Sequence, residues 1–244
     1  MFRATVLTLF PEMFPGPLGL SLAGDALSRG VWTLEPRQIR EHGLGRHRAV
    51  DDTPAGGGPG MVMKVEPMAE AVEAIKRDCA AHSASGCQTI LMSPQGERLS
   101  SAAAKSLAGF EHLLIICGHY EGVDERVKLA LVDQSLSIGD YVLTGGELPA
   151  MVLMDCVARF IPGVIGHPQA TEEESFAQGW LEYPQYTRPP VFRDLAVPEV
   201  LVSGDHEQVA RWRKRQSVAR TLAARPDLVR RPFDSAQCDQ QQEA

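Results

Sequence analysis

The segment LLIICGHYEGVDERVKLALVDQSLSIGDYVLTGGELPAMVLMDCVAR, Leu113 to Arg159, decides how the rest of the chain is read. It opens on an apolar run, Leu113 to Cys117. Amphipathic stretches then alternate with two glycine-punctuated polar turns, Gly118 to Asp124 and Gly139 to Glu147. Gly118, Gly122, Gly139, Gly145 and Gly146 all fall just beyond strand-like runs. In an open α/β sheet the chain turns there over the carboxyl ends of strands, where small ligands bind. Glycine lets backbone N–H and C=O groups approach a ligand with no Cβ between them. Glycine alone also fits ordinary strand–helix turns. Two such loops, each carrying carboxylates and a tyrosine (Tyr120, Tyr141), tilt the reading toward a site.

Outward from this segment the same alternation continues. Ala4 to Phe10 is β-branched and apolar, a buried strand ended by Pro11; Leu18 to Ser28 reads as a helix, and Val31 to Ile39 as a strand. Met68, Val72, Ile75 and Cys79 recur at helical spacing. Gln88 to Met92 is a short strand stopped by Ser93-Pro94-Gln95-Gly96, and Ser100 or Ser101 caps a helix that stops at Gly109. Glu147 to Phe160 is a helix ending before Pro162. Helices alternating with strands predict an α/β fold with a mostly parallel sheet.

Past Pro162 the chain is rich in proline, glycine and acids until Pro190 and is expected to be irregular. Val197 to Val202 is short and apolar. Asp205, with Gln208 three residues on, sets up a capping box for a long helix. The apolar stripe of that helix is Val209, Trp212, Ala219 and Leu222, and its other face is basic. The expected organisation is a domain over 1–163, a flexible linker over 164–190, a small helical basic domain over 191–233, and a polar tail from 234 expected to be disordered.

Composition sets the frame. A chain of 244 residues, 44% hydrophobic and 23% charged, is expected to be soluble and globular, with room for one domain or two. No apolar run reaches the roughly 18 residues of a membrane span, and the N-terminus lacks a signal-peptide pattern. The five cysteines are odd in number and have no metal-ligand spacing; Cys117 and Cys156 sit inside apolar patterns, which fits a reducing cytoplasm. A net charge of -7 argues at first against a nucleic-acid partner. Its distribution reverses that. Between Val209 and Arg231 lie eight cations, Arg213 and Lys214 among them, against one acid, Asp227. Charges more than about 8 Å away are largely screened at physiological salt, so an approaching phosphate meets the local field. Arg37, Arg40, Arg46 and Arg48 form a second basic cluster. Gly56, Gly57, Gly58 and Gly60 around Pro59 match neither a Walker loop nor Gly-x-Gly-x-x-Gly. With Asp51 and Asp52 near Arg46, His47 and Arg48, this stretch reads as a mobile, substrate-facing flap.

Seven motifs, in order, carry a resemblance: LFPEMF (Leu9 to Phe14), RHRAVDDTPAGGGPGM (Arg46 to Met61), SPQG (Ser93 to Gly96), GHYEGVDERV (Gly118 to Val127), SIGDYVLTGGELPA (Ser137 to Ala150), RFIPGVIG (Arg159 to Gly166) and YPQYTRP (Tyr183 to Pro189). Together they resemble the bacterial tRNA (guanine-N1)-methyltransferases, of the trefoil-knot (SPOUT) class. The resemblance implies a knotted sheet holding S-adenosyl-L-methionine on Met92, Pro94, Gly118, Tyr120, Gly122, Ile138, Gly139, Asp140, Tyr141, Val142, Leu143, Gly145 and Gly146. It implies a cytoplasmic homodimer with each site built from both subunits, and methylation of the guanine just 3′ of the anticodon in tRNAs where another guanine precedes it. Arg46, Arg48, Asp52, Gly60, Glu121, Asp124, Arg213 and Lys214 are the positions expected to meet the tRNA.

The chemistry is consistent with those residue types. Neutral guanine carries a proton on the ring nitrogen to be methylated, so transfer needs a base and a stabiliser for the charge growing on the exocyclic oxygen. No metal is demanded, and no metal motif is visible. In the family the base is an aspartate two residues before a phenylalanine. The matching position in Glu172-Glu173-Glu174-Ser175-Phe176 is Glu174, a departure of one methylene, with Glu173 or Asp52 in reserve. Arg159 matches the arginine proposed to stabilise the guanine oxygen; as a residue four beyond Asp155 near a helix end, it also suits an ion pair. Two other readings stay open: a knotted methyltransferase acting on a ribose hydroxyl, and an RNA-binding homologue that has lost catalysis.

Overall fold

A computed structural model describes residues 1–82 and 87–229, so the polar tail, Arg230, Arg231 and Cys238 lie outside the described residues. The chain divides into a first unit, Met1–Gly166, and a second that begins at His167. The first unit runs β1 (Phe2–Thr8), α1 (Ser21–Ser28), β2 (Trp32–Gln38), β3 (Asp51–Asp52), β4 (Val62–Met63), α2 (Val65–His82), β5 (Gln88–Arg98), α3 (Ser101–Leu107), β6 (His112–Cys117), α4 (Glu125–Leu131), β7 (Gln134–Ser137) and α5 (Glu147–Ala158).

Five of these strands form one sheet in the order β2-β1-β6-β5-β7, with every pairing parallel. The central strand β6 is buried at all six positions. Its side chains alternate between two cores, as a pleated strand requires. Leu113, Ile115 and Cys117 face one core with Ala26 of α1, Ala104 and Leu107 of α3, and Leu153 and Val157 of α5. Leu114 and Ile116 face the other with Met68 and Val72 of α2 and Val127 of α4. A parallel sheet covered on both faces needs such a continuous apolar run. One polar cluster sits in this interior: Thr5 Oγ1 pairs with His112 Nε2 at 2.8 Å, and His112 Nδ1 meets Cys79 Sγ at 3.1 Å. Burial lowers the His112 pKa. Burial, with neighbouring Cys87 contributing, pushes the Cys79 thiol up to about 12.

The expected elements shift in informative ways. The first strand starts earlier, at Phe2, and stops at Thr8, because Pro11 opens a 3₁₀ turn. A 3₁₀ turn also fills Gly16–Gly19, so α1 begins only at Ser21. Ser100 caps α3 by accepting from the Ala103 N–H. The strand expected to stop at Met92 instead continues to Arg98. Met92 and Glu97 both pair with Leu136, so Ser93 to Gly96 bulges out between two contacts with β7. No helix among the described residues is long and apolar enough to cross a membrane.

The second unit holds a 3₁₀ turn over Pro168–Thr171, the antiparallel pair β8 (Val191–Phe192) and β9 (Leu195–Ala196), and the helices α6 (Glu199–Val202) and α7 (His206–Ala224). The apolar run at Val197 to Val202 is thus partly helical. Asp205 caps α7, accepting from the Gln208 N–H at 2.9 Å and the Gln208 side-chain amide at 2.8 Å. The expected stripe is corrected at its C-terminal half. Leu222 is 53% exposed, whereas Thr221 is fully buried. The Thr221 hydroxyl accepts the Leu181 N–H at 2.9 Å and donates to the Ser217 carbonyl at 2.7 Å, so a polar residue takes the inward place.

Gly96 is the tightest point of the bulge. A Cβ there would lie 2.4 Å from the Leu136 nitrogen and 2.4 Å from the Ser135 carbonyl carbon, both backbone atoms with nowhere to go. Gly96→Ala should destabilise the protein by about 1–3 kcal/mol. That lowers the melting temperature by about 2–4 °C for each kcal/mol. A calorimetric melt matching wild type would mean that β7 can move away freely.

Candidate active site

The loops after β5, β6 and β7 leave the sheet on one side and enclose a cleft of about 1160 Å³ within the first unit. Met92 and Pro94 line it from β5 and its bulge. Gly118, Tyr120 and Gly122 line it from the loop after β6. Ile138, Gly139, Tyr141, Val142, Leu143, Gly145 and Gly146 line it from the loop after β7. Of the thirteen residues expected around a donor, Asp140 alone is absent from this lining; it is exposed between lining neighbours. The two glycine loops are tied together: the Gly146 N–H donates to the Gly118 carbonyl at 2.9 Å, and His119 and Gly145 form an isolated antiparallel bridge.

The glycine-rich stretch after Gly43 reaches the same cleft by backbone bonds. The Glu121 N–H donates to the Met61 carbonyl at 2.9 Å, Met63 N–H to Gly122 at 2.9 Å, and Asp124 N–H to Met63 at 3.0 Å. The Glu121 carboxylate packs directly on Gly60. Asp52, Glu121 and Asp124 line the cleft; Arg46 and Arg48 do not, lying exposed in the turn that closes Leu44 against Ala49.

Two of these acids are held by cations. Asp52 accepts from Lys64 Nζ and from the Thr53 N–H, each at 2.9 Å. The Lys64 hydrogen bond is the main cause holding its pKa below the usual carboxylate range. Asp124 caps α4 through the Arg126 N–H at 2.9 Å and grips the Arg126 guanidinium at 2.9 and 2.8 Å. That side-chain bond is again the largest cause lowering its pKa. A carboxylate stabilised in its charged form is a weaker base, which counts against Asp52 as a proton acceptor.

The expected catalytic pair is placed on separate units. Arg159 is exposed as the C-cap of α5 in the first. Glu174 is half-buried in the second, in a turn closed by Ala177 N–H to the Glu174 carbonyl at 3.2 Å and Phe176 N–H to the Trp180 carbonyl at 2.8 Å. The basic face of α7 is less bare than its sequence suggests. The Arg213 guanidinium lies 4.7 Å over the Tyr183 ring, Lys214 Nζ 5.2 Å over Trp180, and Arg225 5.6 Å over Phe176.

Sequence reasoning missed a buried carboxylate beside the cleft. Glu147, the first residue of α5, has a side chain only 3% exposed. It accepts the Thr8 hydroxyl at 2.5 Å and His119 Nε2 at 2.7 and 2.9 Å. An acid at a helix N-terminus is a visible signal. Nothing local announces that its partners sit 139 and 28 positions away. Also missed were Lys64 and Lys128 among the lining.

The cleft is walled by glycine backbone and by apolar Ile138, Val142 and Leu143, a lining open to a small organic ligand. Cβ atoms at Gly145 and Gly146 would collide with the wall behind them, lying 2.3 Å from His119 Cε1 and 2.6 Å from Cys117 Cα, so the two loops pack this closely only with glycine there. Comparison with known proteins points the same way. The sequence profile of a family described as tRNA (Guanine-1)-methyltransferase TrmD matches residues 2–231. A tRNA (guanine-N(1)-)-methyltransferase of Moorella thermoacetica is 56% identical over 229 residues, covering 94% of this chain and 90% of the relative. Proteins of the same name from Geobacter sulfurreducens and Rhodopseudomonas palustris (strain TIE-1) are 53% and 54% identical, over 92% and 93% of this chain and 89% of each relative.

Asp124 makes a separable contribution. Asp124→Ala removes both the cap of α4 and the Arg126 contact, and should cost about 1 kcal/mol, whereas Asp124→Asn keeps most of the cap. Its lowered pKa means that this stabilisation is complete above the ordinary aspartate range and is lost as pH falls through the lowered value. Thermal melts of both variants against wild type between neutral and acid pH check this; equal melting at neutral pH would refute it.

Proposed function

The chain belongs to the tRNA (guanine-1)-methyltransferase family, and from that premise we propose that it methylates N1 of a guanine in tRNA, at the position immediately 3′ of the anticodon where another guanine precedes it. The observation that carries the reading is the glycine-walled cleft over the carboxyl ends of β5, β6 and β7. S-adenosyl-L-methionine, when bound there, supplies an activated methyl on a sulfonium and leaves as a neutral thioether. In this reading the chain around the cleft is knotted.

The reaction asks three things of the protein. The guanine N1–H bond must break, and Glu174 takes that proton, a step of the kind that contributes about 10²–10⁴-fold. Charge moves onto the exocyclic oxygen as the nitrogen–carbon bond forms, and Arg159 stabilises it. The third demand is grip on the RNA backbone, assigned to Arg46, Arg48 and the α7 cations Arg213 and Lys214. Asp52, Gly60, Glu121 and Asp124 border the place where the guanine enters. Glutamate in place of the family aspartate is accommodated because Glu174 sits on a turn rather than on a strand or helix.

The enzyme acts in the cytoplasm as a homodimer, each site drawing on both subunits. Leu148 and Val152, one helical turn apart on α5, are 54% and 43% exposed. Apolar residues grouped on a helix face in this way suit a subunit interface.

Glu174→Gln should lower single-turnover methylation of an unmodified guanine–guanine transcript by at least about 10²-fold while donor affinity by calorimetry stays within about twofold. A retained rate would move the base elsewhere. Reversing charge at Arg213 and Lys214 together should weaken tRNA binding and flatten its logarithmic salt dependence by about two units; an unchanged slope would remove α7 from the interface.

A further inference from the structure

One side-chain cluster behind the cleft is not used by the reaction just described. Thr8 ends β1, His119 lies in the loop after β6, and Glu147 opens α5 after the second glycine loop, so the cluster joins three separate segments. The Thr8 hydroxyl donates to Glu147 Oε1 at 2.5 Å and itself accepts the Phe10 N–H at 2.9 Å. His119 Nε2 lies 2.9 and 2.7 Å from the two carboxylate oxygens. Carboxylate oxygens accept, so the pair is made by the imidazole tautomer with its hydrogen on Nε2. The Phe10 ring, centred 5.2 Å from the imidazole, and Met63 Sδ, which accepts the His119 backbone N–H at 3.3 Å, close other sides of the residue.

Gly145 rests on this pair. A Cβ there would lie 2.3 Å from His119 Cε1 and 2.6 Å from Glu147 Oε2. The backbone of the second glycine loop therefore touches the imidazole and carboxylate directly, and the Gly146 N–H continues to Gly118. His119 borders the cleft. Glu147, with a side chain 3% exposed and both oxygens engaged, acts only through its neighbours.

Building on the methyl-transfer reading, the geometry points to His119, Glu147 and Thr8 as positioning residues that fix the spacing of the two glycine walls, and so set the affinity for the methyl donor rather than the rate of transfer. The latch has a defined partner at each end and a defined load, the Gly145–Gly146 backbone. Its effect on the reacting atoms passes entirely through that backbone.

The test uses the full chain and two readouts, the dissociation constant for S-adenosyl-L-methionine by calorimetry and the split between donor KM and kcat on unmodified tRNA. His119→Ala and Glu147→Gln should each raise donor Kd and KM by at least about tenfold, the effect of one lost charge-assisted hydrogen bond. kcat at saturating donor should stay within about threefold of wild type. The double variant should be no worse than the singles, and His119→Gln, which can still donate to Glu147, should recover most of the affinity. Thr8→Val, a milder change of similar size, should weaken donor binding in the same direction and serves if Glu147→Gln fails to fold. A folded His119→Ala or Thr8→Val that binds the donor as wild type does would overturn the latch, as would a fall in kcat with KM unchanged. Wild-type protein that binds no donor would instead sink the methyl-transfer reading itself.

Discussion

Strand β6 has no face toward water. Its five apolar residues divide between two cores, so helices must cover the sheet on both sides and no flank is left for a ligand. Backbone N–H and C=O groups inside such a sheet are committed to the ladder. They become available only where the strands stop, and there Cys117 gives way at once to Gly118. The cleft follows from that constraint. It forms beyond the strand ends, where glycine-rich loops after β6 and β7 line it.

Charge is distributed around this cleft with a consistent logic. Lys64 and Arg126 hold Asp52 and Asp124 in their ionised forms, and Glu147 is buried with its oxygens occupied. These three acids of the first unit are thus each engaged by a neighbouring side chain.

What the sequence made legible was whatever had a local cause. The run at Leu113 to Cys117, the cap at Asp205 and the glycines beyond strand ends each depend on neighbours within a few positions, and each is found where it was read. Three things escaped for lack of such a cause. The strand at Gln88 runs on past Pro94 because β7, forty residues later, pairs on both sides of the bulge. Thr221 displaces Leu222 from the inner side of α7 because the Leu181 N–H needs an acceptor there. Thr8 and Glu147 meet only after the sheet has assembled. The basic face of α7 was visible, but not that rings at Tyr183 and Trp180 lie under two of its charges.

The rims of the sheet have a consequence of their own. One edge is β2, where Pro36 lacks an N–H and Glu35 and Arg37 pair at 2.8 Å; the other is β7, only four residues long. Unpaired strand edges invite a second chain to extend the sheet, and prolines, charges and brevity discourage it. A crowded cell holding many copies of this enzyme therefore gains little risk of open-ended stacking from so apolar a sheet.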